Sequence, residues 1–113
     1  MNAPQPSLNY VALKEVQGVM GDDFPLLVEV FFTDSVKLLT AIQSALDEGN
    51  TDSLRWAAHS FKGSAGNMSA TALAALCHEL EGLACSGTIV GGGHLMTQLV
   101  DEYERVKSAL ENI

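Results

Sequence analysis

The chain has 113 residues, 47% of them hydrophobic, which suits one compact domain with a filled core. Its formal net charge of -8 argues against nucleic-acid and anionic-membrane binding, because both need a basic footprint. An acidic surface fits a protein that meets other proteins.

The opening MNAPQPSLN has no basic residue and none of the apolar run of an export signal. The most apolar stretch, FPLLVEVFF at 24–32, is too short to span a bilayer and contains Glu29. Cytoplasmic residence is therefore the expectation. Residues 1–6 read as a flexible N-terminus and 7–113 as a single domain. Ser7 or Asn9 can cap a short first helix that ends near Gly18 or Gly21.

Asp22 and Asp23 read as the N-cap of a second helix, with Pro25 tolerated in its first turn. That helix runs to about Glu48. Val28, Phe32, Ser35, Leu39, Ile42 and Leu46 form its inner seam, widened by Phe31, Leu38 and Ala45, and Gly49 stops it. A third helix starts near Thr51 or Asp52 with the seam Leu54, Ala58, Phe61, Ala65 and Met68. Asn67 is a candidate for the left-handed residue that ends it, and Ser69 for the cap of the fourth.

The fourth helix carries Leu73, Leu76, Leu80 and Leu83. CSGTIVGGG breaks it, and Gly91 to Gly93 predict a flexible loop. A last helix from about His94 to Leu110 shows Met96, Leu99, Tyr103, Val106 and Leu110. No alternating pattern argues for a strand. The prediction is all-α: an antiparallel up-down four-helix bundle with an additional short N-terminal helix across one end.

Cys77 and Cys85 would lie roughly 12 Å apart along one helix, out of disulfide reach. Both read as buried small hydrophobes. Cys77 and His78 with Cys85 match no tight metal spacing, so no metal site is expected.

The third helix poses a different problem. Its stretch AAHSFKGSAG, residues 57–66, spends two glycines where each should cost about 1 kcal/mol relative to alanine. If Leu54, Ala58, Phe61 and Ala65 point inward, His59, Lys62, Gly63 and Gly66 share an outward stripe, which Arg55 extends. An accessible imidazole, with an ordinary pKa of about 6.5, offers a neutral nucleophile at pH 7. Lys62, one turn on, can serve as a point charge for an arriving anion. The glycines leave bare backbone where a partner can approach closely. The plainer alternative makes His59 an ordinary surface histidine and the glycines a packing device for another helix.

No Ser-His-Asp set, phosphate-binding glycine loop or metal cluster accompanies His59. The domain is therefore not an enzyme by itself, and any chemistry at His59 borrows a partner's machinery. His78 and His94 lack a Lys-Gly companion and read as surface or packing residues. Trp56 and Tyr103 read as core-edge or anchor residues, and Met20 and Phe24 as candidates for an apolar patch beside His59.

AAHSFKGSAGNMSATALAALCHELE, residues 57–81, resembles the signature of the histidine-containing phosphotransfer (HPt) domain. That pattern is roughly His-x-Leu-Lys-Gly, a small-residue run, then a Leu-rich helix ending in Leu-Glu. The resemblance implies that His59 takes a phosphoryl group from the aspartyl phosphate of a receiver domain, as in a hybrid sensor kinase. It would pass the group to an aspartate of a response regulator's receiver. Lys62 matches the lysine that steadies the phosphoryl group, and Gly63 the glycine that permits close approach. Mg²⁺ and the catalytic residues belong to the receiver, so no bound cofactor is implied here. A monomer is the simplest expectation.

Phe61 replaces the usual leucine, Ser69 stands where glycine is common, and Glu81 occupies the place of a glutamine found near the histidine in some members. A carboxylate at 81 could accept a hydrogen bond from the imidazole and fix its tautomer, but it would also repel an incoming phosphoryl group. The rival reading is a non-catalytic helical adaptor that binds a signalling partner through the same face. A metal-binding bundle is a third.

Overall fold

The computed structural model describes residues 6–113, so the flexible stretch expected over 1–6 falls, apart from Pro6, outside the described residues. Every regular element among them is helical: α1 (Tyr10–Met20), a 3₁₀ turn (Gly21–Asp23), α2 (Phe24–Glu48), α3 (Thr51–Asn67), α4 (Thr71–Cys85) and α5 (Gly92–Glu111). Helices α2 to α5 pack as neighbours in chain order, and α2 closes the ring against α5. That is the four-helix bundle. Helix α1 lies against its end, where the backbone N–H of Asn9 donates to the Ser69 carbonyl at 2.8 Å and Leu8 and Leu13 are buried.

Local chemistry explains most boundaries. The Asn9 and Asn50 side chains accept from the amides of Ala12 and Ser53, so α1 and α3 each begin on a satisfied cap. Gly49 ends α2 in the left-handed conformation. Asp23 precedes α2, but its side chain makes no cap bond; the 3₁₀ turn carries the backbone from α1 into α2 instead.

Two boundaries differ from expectation at the α3–α4 corner. Asn67 stays helical, and the left-handed residue is Ser69, with φ +60°. Ser69 is not a cap; Ala70 holds that position without a side-chain bond. The corner closes through the Ala70 amide, which donates to the Ala65 carbonyl at 2.9 Å. A positive φ is why glycine suits position 69.

Nor is 91–93 a loose loop. Gly91 is the left-handed cap of α5, and Gly92 and Gly93 already form its first turn. Gly92 is buried where α5 crosses the end of α2, and a Cβ there would collide with Leu46 Cδ2. Close helix approach, not flexibility, accounts for glycine at 92, since a side chain there would have to displace the Leu46 methyl.

The core joins Leu54, Ala57, Ala58, Phe61 and Ala65 of α3 to Phe31, Ile42 and Ala45 of α2 and to Leu99, Tyr103 and Val106 of α5. Phe61 and Phe31 each stand 6.3 Å from the Tyr103 ring, tilted as aromatic pairs prefer. Ser35 sits in this core without cost, because its hydroxyl donates to the Phe31 carbonyl. In α4 the fully buried stripe is Leu73, Cys77 and Leu80, with Ala84 nearly so, while Leu76 and Leu83 sit at the edges.

Cys85 is exposed, against the expectation that both cysteines are buried. It falls one position past the inward Ala84, at the last residue of α4. Burial pushes the Cys77 thiol up to about 12, which keeps it protonated and unreactive. In the native protein, iodoacetamide should therefore modify Cys85 alone. Cys77 should react only after denaturation, as peptide mapping would read directly.

Candidate functional site

Burial of the α3 seam determines which way His59 points. With Leu54, Ala58, Phe61 and Ala65 wholly inside, His59 stands outside, 69% of its side chain exposed. Lys62 turns toward α4 and is 31% exposed. Glu81, on the third turn of α4, is the more enclosed member at 16%.

Glu81 joins them. Its Oε2 lies 2.5 Å from His59 Nδ1 and its Oε1 lies 2.5 Å from Lys62 Nζ. The hydrogen bond from the Lys62 ammonium holds the Glu81 carboxyl below the ordinary range, against a smaller opposing push from burial, and His59 adds to the lowering. An ionised carboxylate only accepts, so His59 donates through Nδ1–H. Nε2 then keeps its lone pair and is the ring nitrogen left for chemistry.

A depressed carboxyl means that folding favours the ionised form. The stability this contributes is complete above the ordinary value of 4.5 and is lost as pH falls through the lower folded value. Thermal melts should therefore show a steeper decline in Tm below pH 4.5 for the wild type than for Glu81→Gln, which has nothing to protonate there. Parallel curves would disprove the coupling.

The glycines separate the two readings of the stripe. A Cβ at Gly63 or Gly66 meets nothing within 4 Å, so no helix of the bundle occupies that space. Internal packing does not explain them. Arg55 is exposed on the same face and forms no ion pair among the described residues, so it stays outside the His59–Glu81–Lys62 group. His78 lies at the rim of that group, its Nδ1 3.9 Å from Glu81 Oε1. His94 is exposed in the first turn of α5, apart from it.

Two hollows border the stripe. Val16, Val19 and Met20 of α1 face Gly66 and Asn67 across one; Leu27, Val30 and Asp34 of α2 face Ser64 and Asn67 across the other. Met20 thus neighbours the His59 face. Phe24 does not: it is buried and lines a separate recess with Val28, Leu110 and Ile113 at the end of α5. Among the described residues no group of three or more His, Cys, Asp and Glu side chains is arranged to hold a metal ion.

The Hpt domain family model matches residues 26–109, which span α2 to α5 and include the whole His59 group. The chain belongs to the Hpt domain family. This Hpt domain is also similar to the crystal structure of histidine-containing phosphotransfer protein B (HptB) from Pseudomonas aeruginosa PAO1. The two share 36% identity, cover 96% of this chain and 95% of that one, and superpose with a TM-score of 0.92. No curated protein matches the sequence. As an Hpt phosphotransfer domain, the protein belongs to two-component signalling.

Among the described residues no helix is long and apolar enough to cross a membrane. Two features of the Hpt domain's site escape helical-wheel reasoning. One is the bridging of His59 and Lys62 by Glu81, across 22 and 19 residues of chain. The other is His78, whose only sequence signal is its three-residue spacing from Glu81 on the same helix. Trp56, read from the sequence as core edge or anchor, is 67% exposed and belongs to the outer face of α3, not to the core edge.

Proposed function

We propose that residues 7–113 act as one phosphorelay intermediate. His59 accepts a phosphoryl group from the aspartyl phosphate of a receiver domain, such as that of a hybrid sensor kinase. It then yields the group to the aspartate of a response regulator. The observation that carries this reading is the exposed imidazole whose Nδ1 is engaged by Glu81, beside backbone left bare at Gly63 and Gly66.

The Nε2 lone pair attacks phosphorus while the bond to the aspartyl oxygen breaks and its electron pair leaves with the carboxylate. The Nδ1 proton stays on the ring, which gains a positive charge as the N–P bond forms. Glu81 stabilises that charge, as a carboxylate does for imidazolium elsewhere. In the reverse direction the same proton lets the ring depart as neutral imidazole. Lys62, held against Glu81 one turn from His59, balances the phosphoryl charge that Glu81 would otherwise repel.

Mg²⁺ and the remaining catalytic groups belong to the receiver in this scheme, and the Hpt domain contributes nucleophile and docking surface without being an enzyme itself. A cytoplasmic monomer is the simplest setting for such a relay.

The test is labelling. A receiver charged with a small phosphodonor should transfer acid-labile, base-stable phosphate to this chain, and failure with every receiver of the source organism would reject the proposal. Lys62→Ala should slow transfer about ten- to hundredfold, the loss of one charge-assisted hydrogen bond of about 1.5–3 kcal/mol. Its melting curve should show the bundle still folded.

A further inference from the structure

The outer face of α3 is uneven. Beyond His59 it is flat at Gly63 and Gly66; one turn before His59 stands Trp56, 67% exposed and the sole tryptophan of the chain. Three residues of helix place Trp56 about 4.5 Å from His59 along the axis and about 60° around it. That rotation is toward α2, away from Glu81. There Trp56 borders a groove whose walls include Ala41, Ser44, Glu48 and Asp52.

A protein that reaches His59 cannot avoid this residue. A specific interface buries about 800 Å² per partner, a patch roughly 16 Å in radius, so one centred on His59 extends well past Trp56. Tryptophan is also the side chain that most often anchors interfaces, and most of its surface here is still free to be buried. Glu48 and Asp52 are exposed beside it, in a chain of net charge -8. A partner seated there gains by bringing positive charge.

We propose that Trp56 is the partner-selecting anchor of the His59 face. The receiver that docks there meets it with an apolar recess and sets a basic side chain against Glu48 and Asp52. The proposal rests on the phosphotransfer reading of His59. It adds a polarity to the face: bare backbone on one side of the histidine for close approach, a bulky aromatic on the other that supplies binding energy for the right visitor.

The experiment uses the full chain labelled with 5-fluorotryptophan and the receiver that phosphorylates it. Because Trp56 is the only tryptophan, one ¹⁹F resonance reports this residue whatever aromatics the unlabelled receiver contains. The resonance should shift on adding receiver. Trp56→Ala should raise the half-saturating receiver concentration at least tenfold with the transfer rate at saturation unchanged, and Trp56→Phe should recover most of the loss. Glu48→Gln with Asp52→Asn should weaken the salt dependence of half-saturation.

An unshifted resonance in a complex that still transfers phosphate would overturn the proposal, as would unaltered half-saturation in Trp56→Ala. A shift that depends on the chain's own concentration, with receiver absent, would seat a second copy there and overturn it equally. A wild-type chain that takes no phosphate from any receiver defeats the underlying reading as well. A wild type that transfers normally while Trp56 stays silent defeats the anchor alone.

Discussion

His59→Gln is expected to abolish phosphoryl acceptance entirely while leaving the bundle intact. Glutamine keeps a donor that can reach Glu81 but has no lone-pair nitrogen to attack phosphorus. The lost ring was 69% exposed, so its removal opens no cavity, and stability should stay within about 0.5 kcal/mol of wild type. Receiver-dependent labelling and a thermal melt on the same preparation check both halves. Label retained in the variant would move the phosphoryl acceptor elsewhere, with His78 the first place to look, given its position at the rim of Glu81. Receiver binding indifferent to both phosphate and His59 would favour the adaptor reading.

Gly63→Gln should produce the opposite pairing of effects, a firmer fold with impaired transfer. Gly63 lies inside α3 with helical backbone and open space where a side chain would go. Replacing glycine with a good helix former there should stabilise the helix by up to about 1 kcal/mol. In the proposed relay, the new side chain would stand in the space a receiver enters to bring its aspartyl phosphate within bonding distance of Nε2. A displacement of about 1 Å costs on the order of 100-fold in rate, so transfer should fall at least that far. Denaturant midpoints and single-turnover transfer measure the two quantities independently. Transfer at the wild-type rate would reject the idea that this glycine provides clearance.

The divergence of these two effects bears on why the helix tolerates its glycines. Gly92 is a counterexample within the same chain: it is buried against Leu46, so there the missing side chain serves the fold. Gly63 and Gly66 serve nothing inside the bundle. Composition does not distinguish these cases, since all three are glycines within helices. Only the position of neighbouring atoms does.

The linear pattern alone determined the architecture and the outward orientation of His59. Apolar residues at three- and four-residue spacing bury one side of each helix, and the seam from Leu54 to Ala65 leaves His59 nowhere to go but outward. Asn9 and Gly49 mark boundaries for the same local reason, because a cap needs only a few neighbouring residues. What spacing along one helix does not encode is the register between two. The packing of α3 on α4 decided that Glu81 bridges His59 and Lys62 and that Ser69 takes the left-handed turn instead of Asn67, and the meeting of α2 with the end of α5 decided where Phe24 goes. Those outcomes depend on how side chains from distant parts of the chain interlock, a property of the assembled core and of no single segment.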